Sequence, residues 1–273
     1  MIPILKANGE REEFSETKVL HSIHRAGIPE ALVPQVLEHI KRKLYENIPS
    51  SEIYHHITEF LETSPQPFTK SRYSLKQAIM SLGPTGYPFE DYIAKIFQRQ
   101  GYTTLIRQIL PGNCVSHEID VIAEKNTVIP TKIMIEAKFH NQVGMRTNVH
   151  VPLYTKSRFE DIKIKHNFSE VWLVTNTKAT VDAIAYASCV GMKIMTWSYP
   201  EGESLRDLVE KFHMFPITTL ATLETIYKQE LLARGIVLCE DIYKEKALLD
   251  SLDMSAEKRE EVFKEITFIS NTR

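Results

Sequence analysis

Residues 117–141, HEIDVIAEKNTVIPTKIMIEAKFHN, read as two strands and a turn, with acidic residues set among Ile, Val and Met side chains. Burying a charge is costly unless it is paired, holds a metal or is put to use. Residues two apart in a strand share a face. Met134, Glu136 and Lys138 therefore lie on one face of the second strand, and Ile133, Ile135, Ala137 and Phe139 on the other. In the first strand Asp120 lies on the face opposite Ile119 and Val121. Pairing the strands as a hairpin brings Asp120 and Glu136 together, with Lys138 one step further along. Two carboxylates and an amine at a strand edge suit a hard divalent cation, because Mg²⁺ takes one or two carboxylates and keeps several waters. Such a cation polarises a phosphodiester and activates the attacking water, and Lys138 would orient that water or steady the developing charge.

Before these strands, FEDYIAKIFQRQGY (residues 89–102) reads as a helix burying Phe89, Ile93, Ile96 and Phe97. Glu90 neighbours Ile93 and Phe97 at helical spacing and borders the buried face near the helix start, where it can join the same cluster; Asp91 points elsewhere. After the strands, EVWLVTN, TVDAIAYASCVG, MKIMTWS and SLRDLVEKF alternate strand and helix, which calls for parallel pairing under helical cover. His140 and Gln142 continue the Glu136 face or lie past the strand end. Tyr154, Lys156 and Arg158 in LYTKSRFED, with Lys163 and Lys165, are the nearest thing to a DNA-facing stripe, while Arg158 beside Glu160 and Asp161 equally suits a solvated helix start. The bland alternative has Lys138 merely neutralising Glu136, which leaves Glu90 and Asp120 unexplained.

An Asp followed by Glu-x-Lys on the next strand resembles the PD-(D/E)XK nucleases. Residues from about Gly86 to Phe212 look like the Mrr-type restriction endonuclease domain, on FEDYIAKIFQRQGY, EIDVIA, IEAKFHN, LYTKSRFED and VWLVTNTKATVDAIAYA. The resemblance implies that Asp120 and Glu136 ligate Mg²⁺ or Mn²⁺, with the Ala137 carbonyl as a third donor. It makes Lys138 the catalytic lysine and Glu90 the helix glutamate of that site. Ile119 stands where the superfamily's name has Pro.

The chain opens on IPILKANGEREEF, in which Asn8-Gly9 reads as a two-residue hairpin turn. Ser15 can cap a helix ended by Gly27, and EALVPQVLEHIKRKLYEN, SEIYHHITEFLET (capped by Ser50) and TKSRYSLKQAIMSL complete four helices. The linker GPTGYP (residues 83–88) closes this unit. ILKANGEREEFSETKV (residues 4–19), with SEIYHHI and SRYSLKQAI, resembles the ATP-cone, a nucleotide-sensing module. The pattern falls on Ile4, Lys6, Asn8, Gly9, Glu12, Phe14 and Lys18, and Ala7 departs from it where a second basic residue is common. No phosphate-binding glycine loop is present, so ATP or dATP would be held by side-chain amines and helix N-termini. Lys6, Lys18 and His21 are placed for phosphate, Glu12 for a ribose hydroxyl or adenine amine, and Lys76 for a further phosphate contact.

The expected organisation is therefore an α/β multidomain chain. Residues 1–84 form an ATP-cone of a small β-hairpin and four helices. Residues 85–212 form a restriction-endonuclease-like core with a mixed sheet. Residues 213–273 form a helical C-terminal cap, or a helix-hairpin-helix-like unit turning at Gly235-Ile236. The 273 residues carry a formal net charge of −2, so any DNA binding needs a local basic surface. Three scattered cysteines, no signal-peptide core and no apolar run long enough for a bilayer lead to the expectation of a cytoplasmic protein without a membrane partner. The expected activity is a nucleotide-regulated, Mg²⁺-dependent endodeoxyribonuclease, working as a homo-oligomer in restriction or antiphage defence. The alternatives are a nucleotide-responsive DNA-binding regulator with an inactive nuclease fold, and a metabolic allosteric subunit that binds another protein.

Overall fold

The computed structural model describes residues 2–7, 9–64, 68–128 and 130–271, with Asn271 described by its backbone alone. At the N-terminus β1 (Pro3–Leu5) pairs antiparallel with β2 (Arg11–Glu13), placing Ile4 opposite Glu12. The turn is wider than the expected two residues. Lys6 N–H donates to the Glu10 carbonyl at 2.8 Å, and Gly9, at φ +82°, donates to the Lys6 carbonyl. Lys6 and Glu10 thus close the turn, and its left-handed position falls on Gly9. Asn8 lies outside the described residues. The first helix, α1 (Glu16–Arg25), starts as expected, with the Ser15 side chain accepting from the Lys18 N–H.

α2 (Val33–Lys43) carries Pro34 in its first turn, where a missing N–H costs nothing. A strand that the sequence did not disclose, β3 (Ile48–Pro49), pairs parallel with β1. Pro49 is the N-cap of α3 (Ser50–Glu62), so Ser50 is the first helical residue and not the cap. The expected fourth helix is two pieces, α4 (Thr69–Tyr73) and α5 (Leu75–Met80), interrupted at Ser74. Ile23, Val36, Ile40, Ile48 and Ile57 form the core beneath them.

The second sheet holds the site. α6 (Tyr87–Arg99) buries Phe89, Ile93 and Phe97 as its spacing requires. It leads into β4 (Thr103–Pro111), an unanticipated edge strand that exposes Leu105 and Ile109. β5 (Ser116–Lys125) and β6 (Thr131–Lys138) are the strands read from the sequence. Next come β7 (Arg146–Thr147), α7 (His150–Ile162), β8 (Glu170–Thr175) and β9 (Lys178–Ala179). Then follow α8 (Val181–Cys189), β10 (Lys193–Met195) and α9 (Leu205–Phe212). The five-stranded order is β10-β8-β6-β5-β4, antiparallel among β4, β5 and β6 and parallel from β6 to β10. Thr180 caps α8, the crossover from β8 to β10, and a Ser204–Asp207 capping box starts α9 after the last strand.

The tail is less continuously helical than its sequence suggests. A 3₁₀ turn at Ile217–Thr219 precedes α10 (Thr225–Ala233), α11 (Cys239–Lys244), α12 (Ala247–Asp250) and α13 (Ala256–Asn271). At Gly235 the turn amides are already spent: Gly235 N–H donates to the Leu232 carbonyl and Ile236 N–H to the Leu231 carbonyl. That is a helix C-terminal closure, and it leaves neither amide for a DNA backbone. The chain groups into two compact units, one of Met1–Ala78, Ile217–Lys228 and Cys239–Arg273, the other of Ile79–Pro216 and Gln229–Leu238. Most of the tail expected to cover the nuclease core thus packs with the N-terminal segment.

Candidate active site

β5 and β6 pair up to Val121↔Ile135, so the next position in that register sets Asp120 against Glu136. There the strands part. β6 runs on beside β8 to Lys138↔Thr175, and β5 follows β4 to Pro111↔Ser116. At this fork, side chains take over the bonding. Ala137 N–H donates to Asp120 Oδ2 at 2.8 Å. Arg158, from α7, donates through Nη1 to Glu136 Oε2 and through Nη2 to the Glu118 carbonyl. Its side chain is only 9% exposed, and its guanidinium carbon lies 5.2 Å from the centre of the Tyr154 ring.

Arg158 is thus not part of a solvated helix start. Thr155, Arg158, Phe159 and Ile162 form the buried face of α7, and that spacing is the signal that could have assigned it. Lys138 forms no ion pair among the described residues, so the partner of Glu136 is Arg158. Lys138 still acts at longer range, favouring the charged form of both Asp120 and Glu136.

Glu90 feels the Asp120 charge and shares a second arginine with its neighbour Asp91. Arg107 Nη1 lies 3.2 Å from Glu90 Oε2, and its Nη2 lies 2.8 Å from Asp91 Oδ1. Asp91 therefore shares the arginine with Glu90 instead of pointing away. Arg107 falls between the pairs Ile106↔Val121 and Gln108↔Ile119, opposite Asp120, with φ at +51°. Such a backbone costs a non-glycine residue on the order of 1–3 kcal/mol and tends to mark functional sites. The sequence carries no signal for it.

The electrostatics follow from burial. Desolvation, with the Asp120 charge second, raises the pKa of Glu90 to about 7. The same two causes, in the same order, raise Glu136 to about 7 despite Arg158. Asp120 is raised chiefly by burial. Among the described residues no partner takes Asp120 Oδ1 or Glu136 Oε1. No three or more His, Cys, Asp or Glu side chains among the described residues are disposed around one point. Two carboxylates with open oxygens nevertheless fit Mg²⁺ or Mn²⁺, which keep most of their waters in such sites. His140 turns from the cluster: its Nε2 lies 2.9 Å from Thr147 Oγ1, and burial, then Lys138, lowers its pKa. Gln142 is exposed.

In the N-terminal unit Lys6 and Lys18 both form ion pairs with Glu12, and these hydrogen bonds, the Lys18 bond the larger, bring its pKa down to about 2. Glu12, Phe14, Lys18 and Tyr73 line a cavity of about 160 Å³. That is below the roughly 300 Å³ at which ligand pockets begin, so it does not enclose a nucleotide. Phe14 packs on the core, whereas His21 and Lys76 are exposed.

Three known families match successive parts of the chain. The ATP cone domain matches residues 2–79, the restriction endonuclease family residues 83–205, and the AF1548-like C-terminal family residues 215–270. The crystal structure of AF1548, a protein of unknown function, is 37% identical and superposes with a TM-score of 0.59, over 68% of this chain and 98% of that one. The chain belongs to the AF1548-like family. An uncharacterized Archaeoglobus fulgidus protein is 38% identical over 174 residues, 63% of this chain and 97% of that protein. MspJI restriction endonuclease, solved with a 27-mer oligonucleotide, has 12% identity and a TM-score of 0.36 over 81% of this chain and 43% of that one, below the level of a shared fold. This AF1548-like chain thus joins an N-terminal ATP-cone to a restriction-endonuclease-like domain.

Proposed function

We propose that the chain is a divalent-metal-dependent DNA endonuclease whose activity is set by an adenine nucleotide on its ATP-cone. The observation that carries this reading is the fork between β5 and β6, where Asp120 and Glu136 meet with one oxygen each left open among the described residues. Asp120, Glu136 and the Ala137 carbonyl would hold Mg²⁺ or Mn²⁺. When bound, that ion supplies phosphodiester polarisation and a more acidic water. Lys138, unengaged by any ion pair among the described residues, orients the attacking water and steadies charge on the phosphate oxygens. Glu90, raised to about 7, exchanges a proton near neutral pH. A cleft of about 930 Å³ beside α6, lined by Lys95, Arg107, Arg234 and Asp91 among others, is the surface this reading assigns to DNA.

ATP or dATP would act as a switch through Lys6, Asn8, Glu12, Phe14, Lys18, His21 and Lys76. A nucleotide shifts an equilibrium only by binding one state more tightly. A homo-oligomer with paired nuclease sites would turn two nicks into a double-strand break, the outcome restriction or antiphage defence requires. The test is cleavage of supercoiled plasmid with Mg²⁺, with and without ATP or dATP, for the native chain and Asp120→Ala. Nicking that disappears in the variant and changes with nucleotide is the expected result. Nicking that survives Asp120→Ala removes the site from the reaction. DNA binding without cleavage of modified or unmodified DNA favours the regulator with an inactive nuclease fold.

A further inference from the structure

We propose that Arg158 is a fixed counter-cation of this site, seated where a second metal ion would otherwise lie, so that the fork accepts a single divalent cation. The inference rests on the metal-dependent reading above and deepens it. The guanidinium occupies a seat made of oxygens: the Glu136 carboxylate on Nη1 and the Glu118 carbonyl on Nη2. A carboxylate and a backbone carbonyl are the donors a hard cation takes. Arg158 fills that seat permanently, because its side chain is 9% exposed, stacks on Tyr154 and rises from the buried face of α7 beside Phe159 and Ile162. A guanidinium keeps its charge at every working pH.

The same contacts divide the carboxylate oxygens between two tasks. Asp120 Oδ2 is anchored by the Ala137 N–H and Glu136 Oε2 by Arg158. Oδ1 and Oε1 are left for one ion, in orientations fixed from outside its coordination sphere. Arg158 and Lys138 both favour the charged forms of Asp120 and Glu136, but only Arg158 is in contact with either carboxylate. A second divalent ion would have to sit against the guanidinium in a poorly screened site, where like charges repel strongly. Arg158 is accordingly a positioning residue, acting on the reaction through Glu136.

Mn²⁺ titration of the full chain without nucleotide or DNA tests this, by calorimetry and by the paramagnetic resonance of free Mn²⁺. Melting curves and circular dichroism report the fold of each variant. The native chain should take one Mn²⁺, lost in Asp120→Ala. Arg158→Gln, which keeps a donor but removes the charge, should take two and nick plasmid at least about 10-fold more slowly. Arg158→Lys, which keeps the charge, should take one. A folded Arg158→Gln that still binds one Mn²⁺ overturns the proposal, and so do two ions at the native site, a result that decides the matter even if Arg158→Gln fails to fold. A native chain binding no Mn²⁺, or binding it equally after Asp120→Ala, strikes instead the metal-dependent reading, and this inference with it.

Discussion

Glu136 and Glu265 are both buried carboxylates, and the two compact units treat them in opposite ways. Glu265, fully buried on α13, accepts from the Ala221 and Thr222 backbone N–H groups at 2.8 Å each, from Thr222 Oγ1 at 2.5 Å and from Ser71 Oγ. Both of its oxygens are satisfied, and the residue ties α4, the stretch before α10, and α13 into one unit. Glu136 has one oxygen on Arg158 and the other without a partner among the described residues, and burial beside Asp120 lifts its pKa to about 7. A carboxylate with every lone pair answered holds a fold together. One left half-answered next to another keeps an oxygen for a ligand, as the proposed metal site requires.

Charge removal should separate the two most sharply. Asp120→Asn retains an oxygen for the Ala137 N–H but loses the charge, so Mg²⁺-dependent nicking should fall by about 10³-fold or more, the scale of a lost transition-state electrostatic contact. Its melting temperature should hold or rise, because a buried and incompletely paired charge has gone. The reverse pattern is expected at the other node. Glu265→Gln turns an amide N–H₂ toward groups that are themselves donors and should cost about 3 kcal/mol, read from urea denaturation. Cleavage per folded molecule should be unchanged. A stable Glu265→Gln, or an unstable Asp120→Asn, breaks the comparison.

The sequence disclosed the candidate site residues because strand periodicity is rigid: Asp120, Glu136 and Lys138 could be assigned to faces from spacing alone. It disclosed Glu90 for the same reason at helical period. What it hid depends on tertiary context. Arg158 reads as a surface cation until α7 is docked, and Arg107 sits in β4, whose half-exposed edge pattern does not announce a strand. The fork was also invisible, since nothing in residues 117–141 says that pairing stops at Val121↔Ile135. In the N-terminal unit Lys6, Glu12 and Lys18 were legible as a group. Their mutual neutralisation was not, because opposite charges six residues apart meet only once the turn and α1 are built.

Proton linkage offers a gentler way to sharpen the contrast. Glu90 and Glu136 hold their protons in the folded state up to about pH 7, whereas the unfolded chain releases them near the ordinary value of 4.5. The folded state thus binds more protons in that window, and stability falls as pH rises through it and levels off above. In EDTA the melting temperature should drop between these limits. Mg²⁺ should restore it at the upper end and not at the lower, because the ion binds Asp120 and Glu136 in their deprotonated forms. Glu12 runs the other way: lowered to about 2 by Lys18 and Lys6, its contribution is present above 4.5 and is lost as pH falls toward 2. With its lysine partners exposed, that contribution should shrink in high salt, while the slope from Glu90 and Glu136 should persist.

The smallest effect belongs to the nucleotide. Lys6 and Lys18 already spend their charge on Glu12, so a triphosphate must displace that carboxylate before it gains both amines. Lys18→Ala should therefore weaken ATP binding only about 10-fold, close to the value of one charge-assisted hydrogen bond at a solvated surface. Glu12→Gln separates two roles for the same residue, by equilibrium titration of ATP. If Glu12 serves chiefly to hold the lysines, its neutralisation frees them and ATP binds more tightly. If it also grips the ribose or adenine, that gain is cancelled and binding weakens. Tighter binding would align the N-terminal unit with the fork in β5 and β6, each keeping an internal counter-charge in a place intended for an incoming one.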